Sequence, residues 1–385
     1  VASGATGTGF SNYSVSYADG TLTVTPAALT ITASGASKTY GASASLTGYS
    51  SSGLVNGDSI AAVTLASSGS GTVASVGSYS VVASGATGTG LSNYAVSYAD
   101  GTLTVTPAAL TITASGASKT YGASASLTGY SSSGLVNGDS IAAVTLASSG
   151  SGTVASVGSY SVVASGATGT GLSNYAVSYA DGTLTVTPAA LTITASGASK
   201  TYGASASLTG YSSSGLVNGD SIAAVTLASS GSGTAASVGS YSVVASGATG
   251  TGLSNYSVSY ADGTLTVTPA ALTITASGAA KTYGASASLT GYSSSGLVNG
   301  DSISAVTLAS SGSGTAASVG SYSVVASGVT GTGLSNYSVS YADGTLTVNP
   351  ASLTITASGA SKTYGASASL TGYSSSGLVN GDSIA

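Results

Sequence analysis

The sequence has no cysteine, methionine, tryptophan or histidine, and it also lacks arginine and glutamate. Without Cys and His there is no thiolate or imidazole to hold a transition metal. No disulfide can form, so cysteine usage gives no clue to the redox compartment. Without His the common nucleophile–base pairings of hydrolases are missing. A lone Lys is a poor base unless it is buried. Charge is equally scarce. Five Lys and ten Asp give 4% charged residues and a net charge of −5, where soluble domains carry about 25%. No basic cluster exists for nucleic acid or an anionic membrane surface. No apolar run approaches the roughly 20 residues that span a bilayer; residues 60–66 come nearest, and Thr64 interrupts them.

What remains is Gly, Ser, Thr, Ala and Val, arranged as a repeat. The segment that opens at Val1 returns at Val82, Val163, Val244 and Val325, a period of 81 residues. Solenoid coils repeat every 20 to 50 residues or so, so this period suits a whole small domain. The copies differ by mild swaps. Phe10 becomes Leu91, Val73 becomes Ala235, Ser37 becomes Ala280 and Thr25 becomes Asn349. The chain opens without Met and starts and stops inside a repeat, which predicts a longer natural protein.

Gly and Ser content argues for disorder. The alternation of large and small residues argues against it, as do five Tyr positions and a single Pro per repeat. Tyr13, Val15 and Tyr17 alternate with small residues and would share one strand face. Asp19-Gly20 predicts a tight hairpin turn, with residues 21–25 as the return strand and Leu22 and Val24 inward. Pro26 breaks the ladder. Residues 28–33 form the next strand, with Leu29 and Ile31 inward. Residues 34–40 read as a loop, 45–49 as a strand, and 53–58 as a turn or single helical turn. Residues 61–66 and 78–84 read as strands, with Val63, Leu65, Tyr79 and Val81 inward. Residues 85–90 read as a Gly/Thr loop.

The expected fold is all-β or mostly β. It is a tandem array of small β-sandwich or β-grasp-like modules of about 81 residues. Residues 1–26 form the C-terminal part of a repeat. Modules follow at 27–107, 108–188, 189–269 and 270–350, and 351–385 is the N-terminal part of another. Short linkers carrying Pro restrict swing between neighbours, so the array reads as beads on a semi-rigid string.

Three segments carry a resemblance: Lys38-Thr39-Tyr40-Gly41, then residues 53–58 (Gly-Leu-Val-Asn-Gly-Asp), then residues 93–107 from Asn93-Tyr94 to Pro107. Together they resemble the MBG-type (YGX-type) repeat of very large secreted bacterial surface proteins, often found beside filamentous-haemagglutinin-like regions. The resemblance implies an extracellular or cell-surface location and an adhesin, stalk or biofilm-matrix role. It carries over no catalytic residue. The near-identical copies and very low charge favour a repetitive structural role over an individual ligand site.

Candidate chemistry is sparse. Lys38, Lys119, Lys200, Lys281 and Lys362 are the only side-chain cations. Each could form an intramolecular isopeptide bond, with Asp58, Asp139, Asp220, Asp301 and Asp382 as the matching carboxyls. That reaction needs an apolar setting that keeps the amine neutral. The plainer reading is a Lys closing a turn. Asp19 and Asp58 could bind calcium, but two isolated Asp beside Gly are better read as turn formers. Thr-x-Thr rows at residues 21–25 and 30–32 are exposed strand faces. The glycosylation sequon at Asn12, Asn255 and Asn336 is lost at Asn93 and Asn174 and reads as incidental. The expected function is the structural repeat region of a secreted bacterial fibre or giant adhesin, with no enzyme activity and no cofactor. Its partners would be neighbouring copies of itself, through lateral or end-to-end association. The alternative is a multivalent carbohydrate- or mucin-binding array that uses exposed Tyr faces on polysaccharide or host glycan.

Overall fold

The computed structural model describes residues 1–385. The chain divides into two compact units, Val1–Pro188 and Ala189–Ala385, each described by itself. Each unit holds two complete modules of one design.

In the first module the strands are β1 (Ala27–Ala33), β2 (Ala36–Thr39), β3 (Tyr49–Ser52), β4 (Ser59–Ala66), β5 (Gly77–Thr89), β6 (Tyr94–Ala99) and β7 (Gly101–Thr106). They form a three-stranded sheet in the order β3-β1-β6 and a four-stranded sheet in the order β4-β5-β7-β2. The only helical piece is a 3-10 turn at Leu91–Asn93. The fold is therefore a β-sandwich, and the β-grasp alternative fails for want of a helix packed on the sheet.

The core follows the period-two alternation of the strands. Leu29 and Ile31 of β1, Val81 and Ala83 of β5, and Leu103 and Val105 of β7 are buried. Ala33, Val81, Ala83 and Leu103 pack together, with Leu46, Val63 and Leu65 against them. Burying one such Leu contributes about 1.5–3 kcal/mol. The outward positions are mostly Ala, Ser and Thr, with Val82 of β5 an exception.

Two parallel pairings close each module. Residues Ala27 to Thr32 of β1 face Tyr94 to Ala99 of β6. Ala36 to Thr39 of β2 face Leu103 to Thr106 of β7. Both join the beginning of the module to its end.

This topology corrects the predicted hairpin. β6 and β7 are consecutive but lie in different sheets, so Asp100-Gly101 is a crossing point between layers. A Cβ on Gly101 would come within 2.6 Å of the Ala33 carbonyl oxygen. The glycine is there for close approach rather than for a primed turn. Two predicted loops are also strand. Residues 36–39 pair with β7, and residues 85–89 continue β5 against β4 through two register shifts. The predicted strand at 45–49 begins only at Tyr49.

Residues 13–25 are identical in sequence to 256–268. The latter form two strands, Tyr256–Ala261 and Gly263–Thr268. The former have no strand and leave Leu22 88% and Val24 85% exposed. At the other end, Thr354–Ala357 and Tyr373–Ser376 form a two-stranded sheet with no third strand.

Candidate functional site: the joint between modules

Successive modules in a unit are separated by one residue. In the first unit, β7 ends at Thr106, Pro107 follows, and the next strand is Ala108–Ala114. Pro fixes its own φ and offers no N–H to extend a ladder.

Around this link the two modules lock together. The Tyr40 hydroxyl donates to Oδ2 of Asp139 in the next module at 2.9 Å. Tyr175 donates to the same oxygen at 2.8 Å and accepts the Val136 N–H at 2.9 Å. The rings of Tyr40 and Tyr175 meet edge to face, with centroids 5.5 Å apart and planes at 80°. Val76 N–H donates to Oδ1 of Asn174 at 2.9 Å, and Nδ2 of Asn137 donates to the Thr72 carbonyl at 2.9 Å. Val136 covers Gly41, where an added Cβ would lie 2.6 Å from a valine methyl. Gly41 has φ of +86°, so both conformation and space select glycine.

The second unit repeats the arrangement. Tyr202 and Tyr337 donate to Asp301 at 2.9 and 2.8 Å. Val238 donates to Asn336, and Asn299 donates to the Thr234 carbonyl. Asn174 and Asn336 are each 8% exposed. Asn93, with no module packed on it, is exposed. The sequon asparagine at 336 is thus a buried joint residue.

Electrostatically the joint is a single carboxylate held by phenol hydroxyls. Burial is the main reason that Tyr175 and Tyr337 are harder to ionise than a free tyrosine. The bond from the Val136 or Val298 backbone opposes this, and the bond to Asp139 or Asp301 adds to it.

The lysines hold the donor half of the joint. Nζ of Lys38 is buried and donates to the carbonyls of Ala42, at 3.0 Å, and Gly71. It ties the Tyr-Gly turn to the loop that carries Thr72 and Val76. Lys119, Lys200 and Lys281 do the same with Ala123 and Gly152, Ala204 and Gly233, and Ala285 and Gly314. Lys362, in the partial repeat, is exposed. The amines are not brought to the matching carboxylates. Asp58 bonds Tyr94, Asp139 bonds Tyr40 and Tyr175, and Asp301 bonds Tyr202 and Tyr337. The turn-closing role considered for these lysines is the one their hydrogen bonds describe.

The other Asp series, at 100, 181, 262 and 343, accepts from a serine hydroxyl on β5 or its equivalent, as in Ser80 to Asp100. No group of three or more acidic side chains converges. No helix is long and apolar enough to cross a membrane.

Sequence reasoning missed the pairing of Tyr40 with Asp139. The signal was present in the sequence: the three segments that carry the family resemblance are the three that meet here.

Solved structures of similar architecture include Drosophila N-cadherin EC1-4, with 11% identity over 71% of this chain and 83% of that one and a TM-score of 0.23. Surface layer protein SbsC, domains 1–6, matches at 14% identity over 77% of this chain and 50% of that one, with a TM-score of 0.18. A Bacteroides ovatus glucan-utilisation protein, SGBP-B, solved with a mixed-linkage heptasaccharide, matches at 17% identity over 65% and 70%, with a TM-score of 0.13. All three superimpose too loosely to bear on function. No protein of curated function matches the sequence. The MBG domain (YGX type) matches residues 29–104, 110–185, 191–266, 272–347 and 353–385. The chain belongs to the MBG domain (YGX type) family, and it carries that domain in tandem.

Proposed function

We propose that this array is the structural spacer of a secreted bacterial fibre or giant adhesin, working at the cell surface as a stalk or in a matrix as a filament. The observation that supports this is the joint. Within each unit one module spends its buried Lys and Tyr-Gly turn, and the next spends an Asp, on fixing the pair rather than on building a pocket. The linker is one proline, so little chain entropy opposes the docked arrangement. We further propose that the array is not catalytic, since its acids and amines are committed to these contacts.

The glycan-array reading needs exposed aromatic faces. Tyr40, Tyr94, Tyr175 and Tyr337 are buried, and the hydroxyl of the more open Tyr98 holds the Ala86 N–H. The outer sheet faces carry mostly Ser, Thr and Ala, with Tyr98 and Val82 and their equivalents the large side chains among them.

Small-angle scattering on the chain in dilute solution tests the spacer role. The expected result is a stiff particle that lengthens by roughly 30–45 Å per module, judged from compact-domain size. A distance distribution typical of freely jointed beads would overturn it.

A further inference from the structure

We propose that strand β4 and its equivalents are docking edges for a second copy of this chain. Two arrays would join side by side, each four-stranded sheet running on into its partner's. The proposal rests on the spacer reading and adds to it the surface through which copies associate.

A sheet edge presents unpaired N–H and C=O groups, and proteins blunt it with short strands, bulges, proline or charge. The edges of the module differ in this respect. β2 and β3 have four residues each, and β2 turns the buried Lys38 inward. β6 is tied down at Tyr98, whose hydroxyl holds the Ala86 N–H of β5. β4 has eight residues, Ser-Ile-Ala-Ala-Val-Thr-Leu-Ala, with neither charge nor proline. It pairs with β5 alone, and no main-chain bond joins it to any other segment. None of its residues is fully buried.

The register shifts do not close this edge. Ile60 faces Gly88 and Ala62 faces Thr87, so Ala61 is an extra residue in β4. Thr64 then faces Ser84, so the second extra residue belongs to β5. β4 itself therefore runs evenly from Ala62 to Ala66. Thr64 and Ala66 are exposed, while Val63 and Leu65 lie against the core and are only half-buried. The apolar layer stays open here. A cleft of about 250 Å³ is lined by Leu46, Leu65 and Val81, and its counterpart in the module at 270–350 by Leu289, Leu308 and Val324.

The occupant that fits is the same strand from another copy. Antiparallel pairing about Thr64 sets Thr64 against Thr64, Val63 against Leu65 and Ala62 against Ala66. Thr–Thr and branched apolar pairs favour a sheet, and the half-buried Val63 and Leu65 of each copy would cover those of the other. Repulsion is slight, because the chain carries a net charge of only −5. Repetition supplies the remaining argument. The segment is identical at 59–66, 140–147 and 221–228, and 302–309 differs only by Ser304. Each unit presents two such edges, held by its joint. A partner that engages both must carry strands at the same spacing, and this chain does. Main-chain bonds supply the affinity of each contact, and weak contacts add through avidity.

Sedimentation of the whole chain from micromolar to millimolar concentration tests this, with hydrogen exchange at residues 59–66 as the second readout. The expected result is reversible growth in whole-chain steps, with those amides gaining protection as mass grows. Thr64→Lys together with Thr145→Lys, Thr226→Lys and Thr307→Lys should weaken association by about tenfold or more. All four threonines are exposed, so the far-ultraviolet spectrum should not change. The same charge on interior strands, as Thr102→Lys, Thr183→Lys, Thr264→Lys and Thr345→Lys, should leave association intact. A chain that stays monomeric overturns the proposal, as does association that the first set leaves unchanged or that leaves residues 59–66 unprotected. Capture of an unrelated strand-forming peptide by a chain that stays monomeric would assign the edge to a foreign strand and equally overturn the pairing of copies. Scattering at low concentration reads the stiffness of the single chain, so the spacer reading stands or falls separately.

Discussion

Tyr40 and Asp139 belong to different modules and meet at 2.9 Å, on an oxygen that Tyr175 already occupies at 2.8 Å. One carboxylate therefore serves two modules. Replacing it by Asn, which offers a neutral oxygen, should cost about 1–3 kcal/mol at that joint. The check is a cycle of Tyr40→Phe and Asp139→Asn followed by denaturant unfolding. A coupling energy near zero would mean that the two side chains act independently.

The same site sets an alkaline limit. Tyr175 and Tyr337 ionise above the ordinary tyrosine value of 10.0 because burial disfavours the phenolate. The folded form therefore holds these protons longer than the unfolded chain does. Their contribution to stability is complete below pH of about 10 and is lost as pH rises through the higher folded value. Titration of the phenolate absorbance should show these two tyrosines ionising after the exposed ones. Coincident titration of every tyrosine would contradict the burial argument.

Gly203 tests why a glycine follows the joint tyrosine. Its φ is +88°, and a Cβ would lie 2.6 Å from Val298. Gly203→Ala should open that joint and destabilise by more than about 1 kcal/mol. Gly219, at φ +79° with open space around it, should show the conformational part of the cost alone. Hydrogen exchange at residues 296–301 would separate the two.

Lysine burial predicts an unusual protease pattern. Lys38, Lys119, Lys200 and Lys281 are each 7% exposed, while Lys362 is exposed. Limited trypsin digestion should leave the chain uncut after Lys38, Lys119, Lys200 and Lys281. Early cleavage after Lys119 would show that its carbonyl bonds do not hold. Lys119→Met should remove the bonds to the Ala123 and Gly152 carbonyls, at about 0.5–1.5 kcal/mol for each, since both residues are open to water. Intact mass should equal the sequence mass, and a deficit of one water per module would revive the Lys–Asp cross-link.

Much of this fold was legible in the sequence. Leu29, Ile31, Val81, Leu103 and Val105 declare their buried side by alternation, and Val82 its exposed one. What alternation does not carry is which strands pair. Asp100-Gly101 reads locally as a hairpin, yet the chain there changes sheets, because β1 and β2 at the start of the module each claim one of the two strands. Lys38 reads as a surface charge because its partners are carbonyls, which leave no mark on side-chain pattern. The joint was half visible. Tyr40-Gly41, Asn137 and Asp139 stood out as segments, but their meeting depends on residues about 100 positions apart.

The single proline between strands has a mechanical consequence. It joins β7, an interior strand of one sheet, to the next β1-type strand, the middle strand of another. Tension along the chain would therefore enter and leave each module through strands flanked on both sides. The flanking hydrogen bonds would be sheared together rather than opened one at a time. A tether made this way would bear load through the centre of each sandwich, and its peripheral strands would be the last to feel the pull.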